Sequence, residues 1–150
     1  AAVACTSTVE ERDAEPETYW VKRIADPKGM GAAFGAFEGQ RLVGSVALEY
    51  SAKPKTRHKA LVIGMYVTPQ ARRSGTGRAL LEAAVLQAKS KHDIVSLTLT
   101  VTEGNESAIT LYRTAGFEIF GTEPMAIHTP TGYKAKVYMW LPLSHAHTAV

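Results

Sequence analysis

The chain has 150 residues, 45% of them apolar and 21% charged, and carries a net charge of +3. That length suits one domain with a proper core, and the composition is that of an ordinary globular protein, which excludes a disordered or fibrous chain. The basic excess is mild and comes without a long Lys/Arg run or aromatic-basic alternation, so it does not point to nucleic acid.

A single cysteine, Cys5, excludes an internal disulfide and points to a reducing compartment, hence to the cytoplasm. No apolar run approaches the roughly 18 residues of a membrane span. Residues 1–5 are too short for a signal sequence and lack its basic flank.

Residues 1–14 show little periodicity and are expected to be loosely ordered. From 15 to 26 the pattern reads as a helix, with Pro16 in its first turn, Trp20, Val21 and Ile24 on one face, and Asp26-Pro27-Lys28-Gly29 as its end. Strands follow at 32–38 and 41–49, joined by Gly39-Gln40 as an antiparallel hairpin. Residues 51–59 form a basic polar loop, read as a solvated hairpin end. The stretch 61–67 is almost continuously apolar, as expected of a central strand covered on both faces.

A helix is predicted over 76–89, with Leu81, Ala84, Val85 and Ala88 along one stripe. Residues 94–102 alternate cleanly, Val95, Leu97, Leu99 and Val101 facing one way. Asn105 is a strong N-cap for a second helix with Ala108, Leu111, Tyr112 and Ala115 on its inner face, and Gly116 closes it. Strands at 117–128 and 133–143 flank a turn at 129–132. The tail 144–150 should be loose, and its His145 and His147 read as a frayed terminus, so no metal is expected. Strands 61–67 and 94–102 are joined through a helix and should lie parallel and adjacent. The element order is α/β, with a mixed, mostly antiparallel central sheet of six to seven strands flanked by helices, in a single domain over 1–150.

One stretch, 63–81, carries the chemistry: a strand, a turn, a basic glycine loop and a helix start. The first turn of a helix leaves about four backbone N–H groups without partners, and the helix dipole adds roughly half a positive charge. Gly75 and Gly77 remove side chains that would block an anion, and Arg72, Arg73 and Arg78 supply forked cationic donors. A P-loop needs Lys followed by Ser or Thr after the second glycine, which this loop lacks. A dinucleotide fingerprint needs a third glycine where Leu80 stands. What is present is R-x-x-G-x-G at a helix head, preceded by V-x-P. This resembles motif A of the GNAT superfamily of N-acetyltransferases. A second stretch, Asn105-Glu106-Ser107-Ala108-Ile109-Thr110-Leu111-Tyr112-Arg113-Thr114-Ala115-Gly116-Phe117, resembles motif B of the same superfamily, N-x-x-A-x-x-L-Y-x-x-x-G-F. The resemblance runs from about Thr8 to Leu143 and includes Gly121-Thr122-Glu123-Pro124 and Met139-Trp140-Leu141-Pro142-Leu143. It departs at the start, where the family has a strand and a helix before the segment that resembles 15–26. The consequence falls on the acceptor side of the site.

The resemblance implies a GNAT fold and acetyl transfer from acetyl-CoA, as cosubstrate, to a primary amine of a small molecule or protein, directly in a ternary complex. It implies pyrophosphate binding by the backbone amides of Arg72, Arg73, Ser74, Gly75, Thr76, Gly77 and Arg78, with the three arginines around them. Backbone N–H groups near Tyr66 and Val67 would face the thioester oxygen, and Asn105 would contact the cosubstrate. Tyr112 would be the general acid, since a phenol near pKa 10 and a thiol near 8.5 exchange protons usefully. The general base is open between Glu103 and Glu49. A non-catalytic acyl-CoA sensor on the same fold is the alternative, and a homodimer is compatible with an exposed sheet edge.

Overall fold

The structure is a computed structural model, and it describes residues 20–24, 31–72 and 74–143. Among the described residues seven strands form one sheet: β1 (Trp20–Ile24), β2 (Gly31–Glu38), β3 (Arg41–Tyr50), β4 (Lys59–Val67), β5 (Ser96–Thr102), β6 (Glu118–Thr129) and β7 (Gly132–Pro142). Their spatial order is β1-β2-β3-β4-β5-β7-β6. Every neighbouring pair is antiparallel except β4 and β5, which are parallel as the crossover through a helix requires. Helix α1 spans Thr76–Lys89 and helix α2 spans Glu106–Thr114.

The expected helix over 15–26 is corrected where it can be seen, because Trp20–Ile24 is a strand paired with β2 from Trp20↔Phe37 to Ile24↔Ala33. Five residues cover little more than one helical turn, so their periodicity decides little, and Val and Ile favour a pleated surface. The register gives each side chain a strand-like role. Arg23 reaches the helix side and donates from Nη1 to Gln87 Oε1 at 3.3 Å. Lys22 goes the other way, its Nζ 4.4 Å from the centre of the Phe37 ring. The loose segments expected at 1–14 and 144–150 lie outside the described residues.

The remaining elements fall within a few residues of their expected ends. Gly39, at φ 59°, supplies the left-handed conformation that the tight β2–β3 turn needs. Ile94, expected at the start of a strand, belongs to the preceding turn yet is buried. Leu80 and Leu81, with Ala84 and Ala88, form the buried stripe of α1, while Val85 is only partly covered. In α2 the buried pair is Ile109 and Tyr112, so Ile109 joins the inner face predicted without it.

Both helices pack on one face of the sheet. A Cβ on Gly44 would come 2.9 Å from Leu80 Cδ1, so Gly44, Val46 and Leu48 lie beneath α1. A Cβ on Gly116 would come 3.1 Å from Leu141 Cδ1, which brings the α2 end onto β7. The row Leu97, Leu99 and Val101 of β5 pairs with Leu141, Met139 and Val137 of β7 on this face. Most of these side chains are fully buried, each contributing about 1.5–3 kcal/mol relative to exposure. Neither helix covers the opposite face. There Ile63 and Tyr66 of β4 are 38% and 54% exposed, which corrects the expectation of a strand covered on both sides.

Candidate active site

The site grows from two irregularities in β4. The first is a bulge. Ser45 pairs with Tyr66 and Ala47 with Ile63, so Val46 stands opposite both Gly64 and Met65. Gly64 takes φ 64° there, a conformation glycine adopts without the strain of a Cβ. The bulge re-aims the backbone of Met65, Tyr66 and Val67. The second irregularity is the parting of the parallel strands. Hydrogen-bonded pairing with β5 runs only from Lys59↔Ser96 to Leu61↔Thr98. Beyond it, the β5-facing edge of β4 has no ladder partner in β5, and a gap opens toward the helices.

The chain then turns into α1 through a tied loop. Thr68 N–H donates to Val43 O at 2.8 Å, Pro69–Ala71 form one 3-10 turn, and Arg72 Nε donates to Val67 O at 3.1 Å. Ser74 Oγ donates to Ala71 O and lies 2.8 Å from the Thr76 hydroxyl. Gly75 holds the N-cap position at φ 83° and offers no side-chain cap. The first-turn amides of α1 therefore keep their unpartnered donors and their share of the helix dipole.

These pieces enclose a cleft of about 760 Å³. Met65, Tyr66 and Val67 line it from β4; Arg72, Gly75, Thr76, Gly77 and Arg78 from the loop and α1; Asn105, Ser107, Ala108 and Leu111 from α2 and its cap. The walls meet closely, since a Cβ on Gly77 would come 3.2 Å from Leu111 Cδ2. The cleft has room for an extended ligand, with backbone donors and guanidinium groups from the loop and α1 and apolar side chains from β4 and α2.

Eight of the expected cosubstrate contacts thus share one cavity: Tyr66, Val67, Arg72, Gly75, Thr76, Gly77, Arg78 and Asn105. Ser74 is not among the lining residues, its hydroxyl occupied with Ala71 and Thr76, and Arg73 lies outside the described residues. Arg78 pairs with Glu82 one helical turn on, at 3.3 Å in solvent. Tyr112 does not line the cleft. It lies on the buried side of α2, edge-on to Phe117 with ring centres 5.8 Å apart, and burial pushes its phenol above the ordinary tyrosine value.

The two carboxylates are separated. Glu103 follows the last residue of β5, its N–H donating to Ala135 O at 2.9 Å and its Oε1 accepting from Ala135 N–H at 2.8 Å. Glu49 lies on the rim of a smaller hollow with Lys59 and Thr98, where β4 and β5 are still paired. The lining residues not anticipated are Met65, Ser107, Ala108 and Leu111 as a wall. Asn105, Ala108 and Leu111 recur every third residue, and that spacing is the signal that could have revealed the wall.

The sequence model of the Acetyltransferase (GNAT) family matches residues 3–117. The chain belongs to this family, and it is an N-acetyltransferase that draws its acetyl group from acetyl-CoA. Among curated proteins it is similar to the L-amino acid N-acetyltransferase AaaT of Escherichia coli (strain K12), with 26% identity over 127 residues, 76% of this chain and 77% of that protein. Among solved structures it superposes on a GNAT-family acetyltransferase from Streptococcus pneumoniae with a TM-score of 0.72 at 23% identity, covering 76% of this chain and 68% of that one. It also superposes on a phosphinothricin acetyltransferase from Sinorhizobium meliloti in complex with acetyl-CoA, with a TM-score of 0.73 at 20% identity, covering 80% and 65%. The chemistry of the cleft fits acetyl-CoA on its own terms. The uncapped amides, the two glycines and the arginines suit a pyrophosphate, and the strand edge facing the gap suits an amide-bearing arm.

Proposed function

We propose that this single-domain protein acetylates a primary amine by direct transfer from acetyl-CoA to acceptor, with both bound together. The observation carrying the reading is that the unpaired edge of β4, the uncapped start of α1 and the wall of α2 border one continuous cleft. Acetyl-CoA supplies the activated thioester. The amides from Arg72 to Arg78, together with the Arg72, Arg73 and Arg78 guanidinium groups, hold its pyrophosphate, while the Ser74 and Thr76 hydroxyls tie the loop. Arg72 spends Nε on Val67 O, which fixes its terminal nitrogens as a fork for an anion. Asn105 borders the same cavity while capping α2. Backbone N–H groups near Tyr66 and Val67 stabilise the negative charge that grows on the carbonyl oxygen as the amine attacks.

Tyr112 is the proposed general acid from its place in motif B, and because its ring packs on the buried side of α2 it must turn toward the cleft to act. The amine nitrogen bonds to the carbonyl carbon, the carbon–sulfur bond breaks, and the phenol gives its proton to the departing thiolate. Burial favours the neutral phenol, so the acid stays protonated through neutral and mildly alkaline pH. Of the two carboxylates, Glu103 is the better base, acting through water. It stands where β4 and β5 have parted and two residues before Asn105 of the cleft wall, whereas Glu49 lies at the paired end. A place in the cytoplasm is supported by the lone Cys5, and association into a homodimer by the edge position of β6.

The test combines calorimetric titration with acetyl-CoA and steady-state kinetics of Tyr112→Phe. Saturable one-to-one binding is expected in both proteins, with kcat lowered about 100-fold in the variant. In the wild type the alkaline fall of kcat should lie above the ordinary tyrosine value, and Tyr112→Phe should abolish that limb. An unchanged kcat would remove Tyr112 from the chemistry.

A further inference from the structure

On the face of the sheet away from the helices, the register lines up three rows. Leu61, Thr98, Trp140 and Glu118 stand side by side in the first, at the last pair that β4 and β5 form. In the second, Thr100, Tyr138 and Gly121 are neighbours, and β4 has already parted from them. Thr102, Lys136 and Glu123 make the third. Between the first two rows, the bulge at Phe120 adds one more ring, which meets Tyr138 edge-on with centres 6.0 Å apart. Phe120 is 57% exposed and Trp140 37%, although both are large apolar side chains. Clustered exposed rings of this kind mark a surface that binds something.

Two features define what binds. The patch is continuous with the gap at its second row, because strands stand about 4.8 Å apart and there Thr100 stands between Tyr138 and the parted edge, while Trp140 lies in the adjoining row where β4 and β5 are last paired. Its polar margin is mainly anionic. Glu118 and Glu123 border it, Lys136 is the cross-strand neighbour of Glu123, and Tyr138 Oη donates to Glu123 Oε1 at 2.8 Å. That bond orients the carboxylate beside the rings. Rings and an oriented carboxylate together attract a cation with an apolar body and repel an acidic one.

We propose that Phe120, Tyr138 and Trp140, with Glu123 held by Tyr138, form the specificity surface for the acceptor, and that the acceptor is a primary amine carried on an aromatic or branched aliphatic body. The proposal rests on the acetyl-transfer reading. The body lies on the rings and the nitrogen reaches the gap. There the acetyl group passes from sulfur to nitrogen, leaving the free thiol, the amide and the proton released by the ammonium.

The same chemistry is available in a free amine and in an amino acid, and the experiment separates them. Release of free thiol from acetyl-CoA is followed with phenethylamine, L-phenylalanine, ethanolamine and L-glutamate, for the wild type and for Phe120→Ala, Trp140→Ala and Glu123→Gln. The expected order is an apolar acceptor at least about 10-fold above ethanolamine and L-glutamate in kcat/KM. Preference for phenethylamine identifies a free amine, and preference for L-phenylalanine an amino acid. Each alanine variant should raise the KM of the apolar acceptor about 10-fold, with kcat and the calorimetric affinity for acetyl-CoA kept. Glu123→Gln should narrow the preference over L-glutamate. Acetyl-CoA binding without turnover of either apolar acceptor overturns the proposal alone, as does an equal loss for all four acceptors. Absence of acetyl-CoA binding overturns the acetyl-transfer reading with it.

Discussion

Helices α1 and α2 begin in opposite ways. Helix α2 completes its own first turn: Asn105 Oδ1 accepts from Ala108 N–H at 3.3 Å and from the Ser107 hydroxyl at 3.2 Å. Glu106 adds an acidic residue beside the positive end of the dipole. Helix α1 has none of this. Gly75 stands at its cap in a left-handed conformation, its first turn is without an acidic residue, and arginines stand on either side. One start is satisfied by the chain itself, and the other keeps its donors for a ligand. The difference teaches that a helix end open to the cleft is a binding device only because its own residues decline to close it.

The contrast can be broken most severely at Gly77. Gly77→Glu introduces a carboxylate among the open amides and a Cβ 3.2 Å from Leu111 Cδ2. Acetyl-CoA affinity should fall by about 100-fold or more, near 2.7 kcal/mol, as read by calorimetry. The contacting atom is the end of a flexible side chain, so circular dichroism should remain that of the folded protein.

A subtler change turns α1 into a copy of α2. Gly75→Asp places a capping carboxylate at the open start. The left-handed conformation costs about 1–2 kcal/mol, and the cap with the dipole returns about 1 kcal/mol. Thermal stability should therefore shift only modestly, while acetyl-CoA binding weakens about 10-fold. Tight binding in this variant would mean that the α1 amides do not hold the anion.

The smallest binding effect belongs to the closed start. Asn105→Ala removes the acceptor for Ala108 N–H and should lower stability by about 1 kcal/mol in chemical denaturation. Its effect on acetyl-CoA affinity should stay within about 3-fold, although Asn105 borders the cleft, because Asn105 serves α2 first. A loss as large as that of Gly75→Asp would make Asn105 a principal ligand contact.

Much of this molecule was legible before any coordinates. Helix α1 occupies 76–89 as the periodicity predicts, Asn105 caps α2, Gly116 ends it at φ 104°, and β5 alternates as expected. These features follow from neighbours a few residues apart, where steric and hydrogen-bonding rules act directly. The short segment Trp20–Ile24 was misread because its fate depends on β2, which supplies the ladder it joins. Likewise, the apolar run of β4 signalled burial on both faces, since sequence does not record that α1 and α2 lie on the same side.

The sequence by itself determined the glycine loop, its arginines, the two motifs and hence the family, because each is a matter of residue type at fixed spacing. Tertiary structure decided the rest. The parting of β4 from β5 after Leu61↔Thr98 made the cleft, and the Glu103–Ala135 pair tied one carboxylate to β7 while Glu49 stayed where β4 and β5 are paired. The pairing of β5, β7 and β6 gathered Trp140, Tyr138 and Phe120 from distant points of the chain onto one face. The physical reason is that register, bulges and strand divergence are set by contacts between remote segments, and local propensity does not encode which strands will meet.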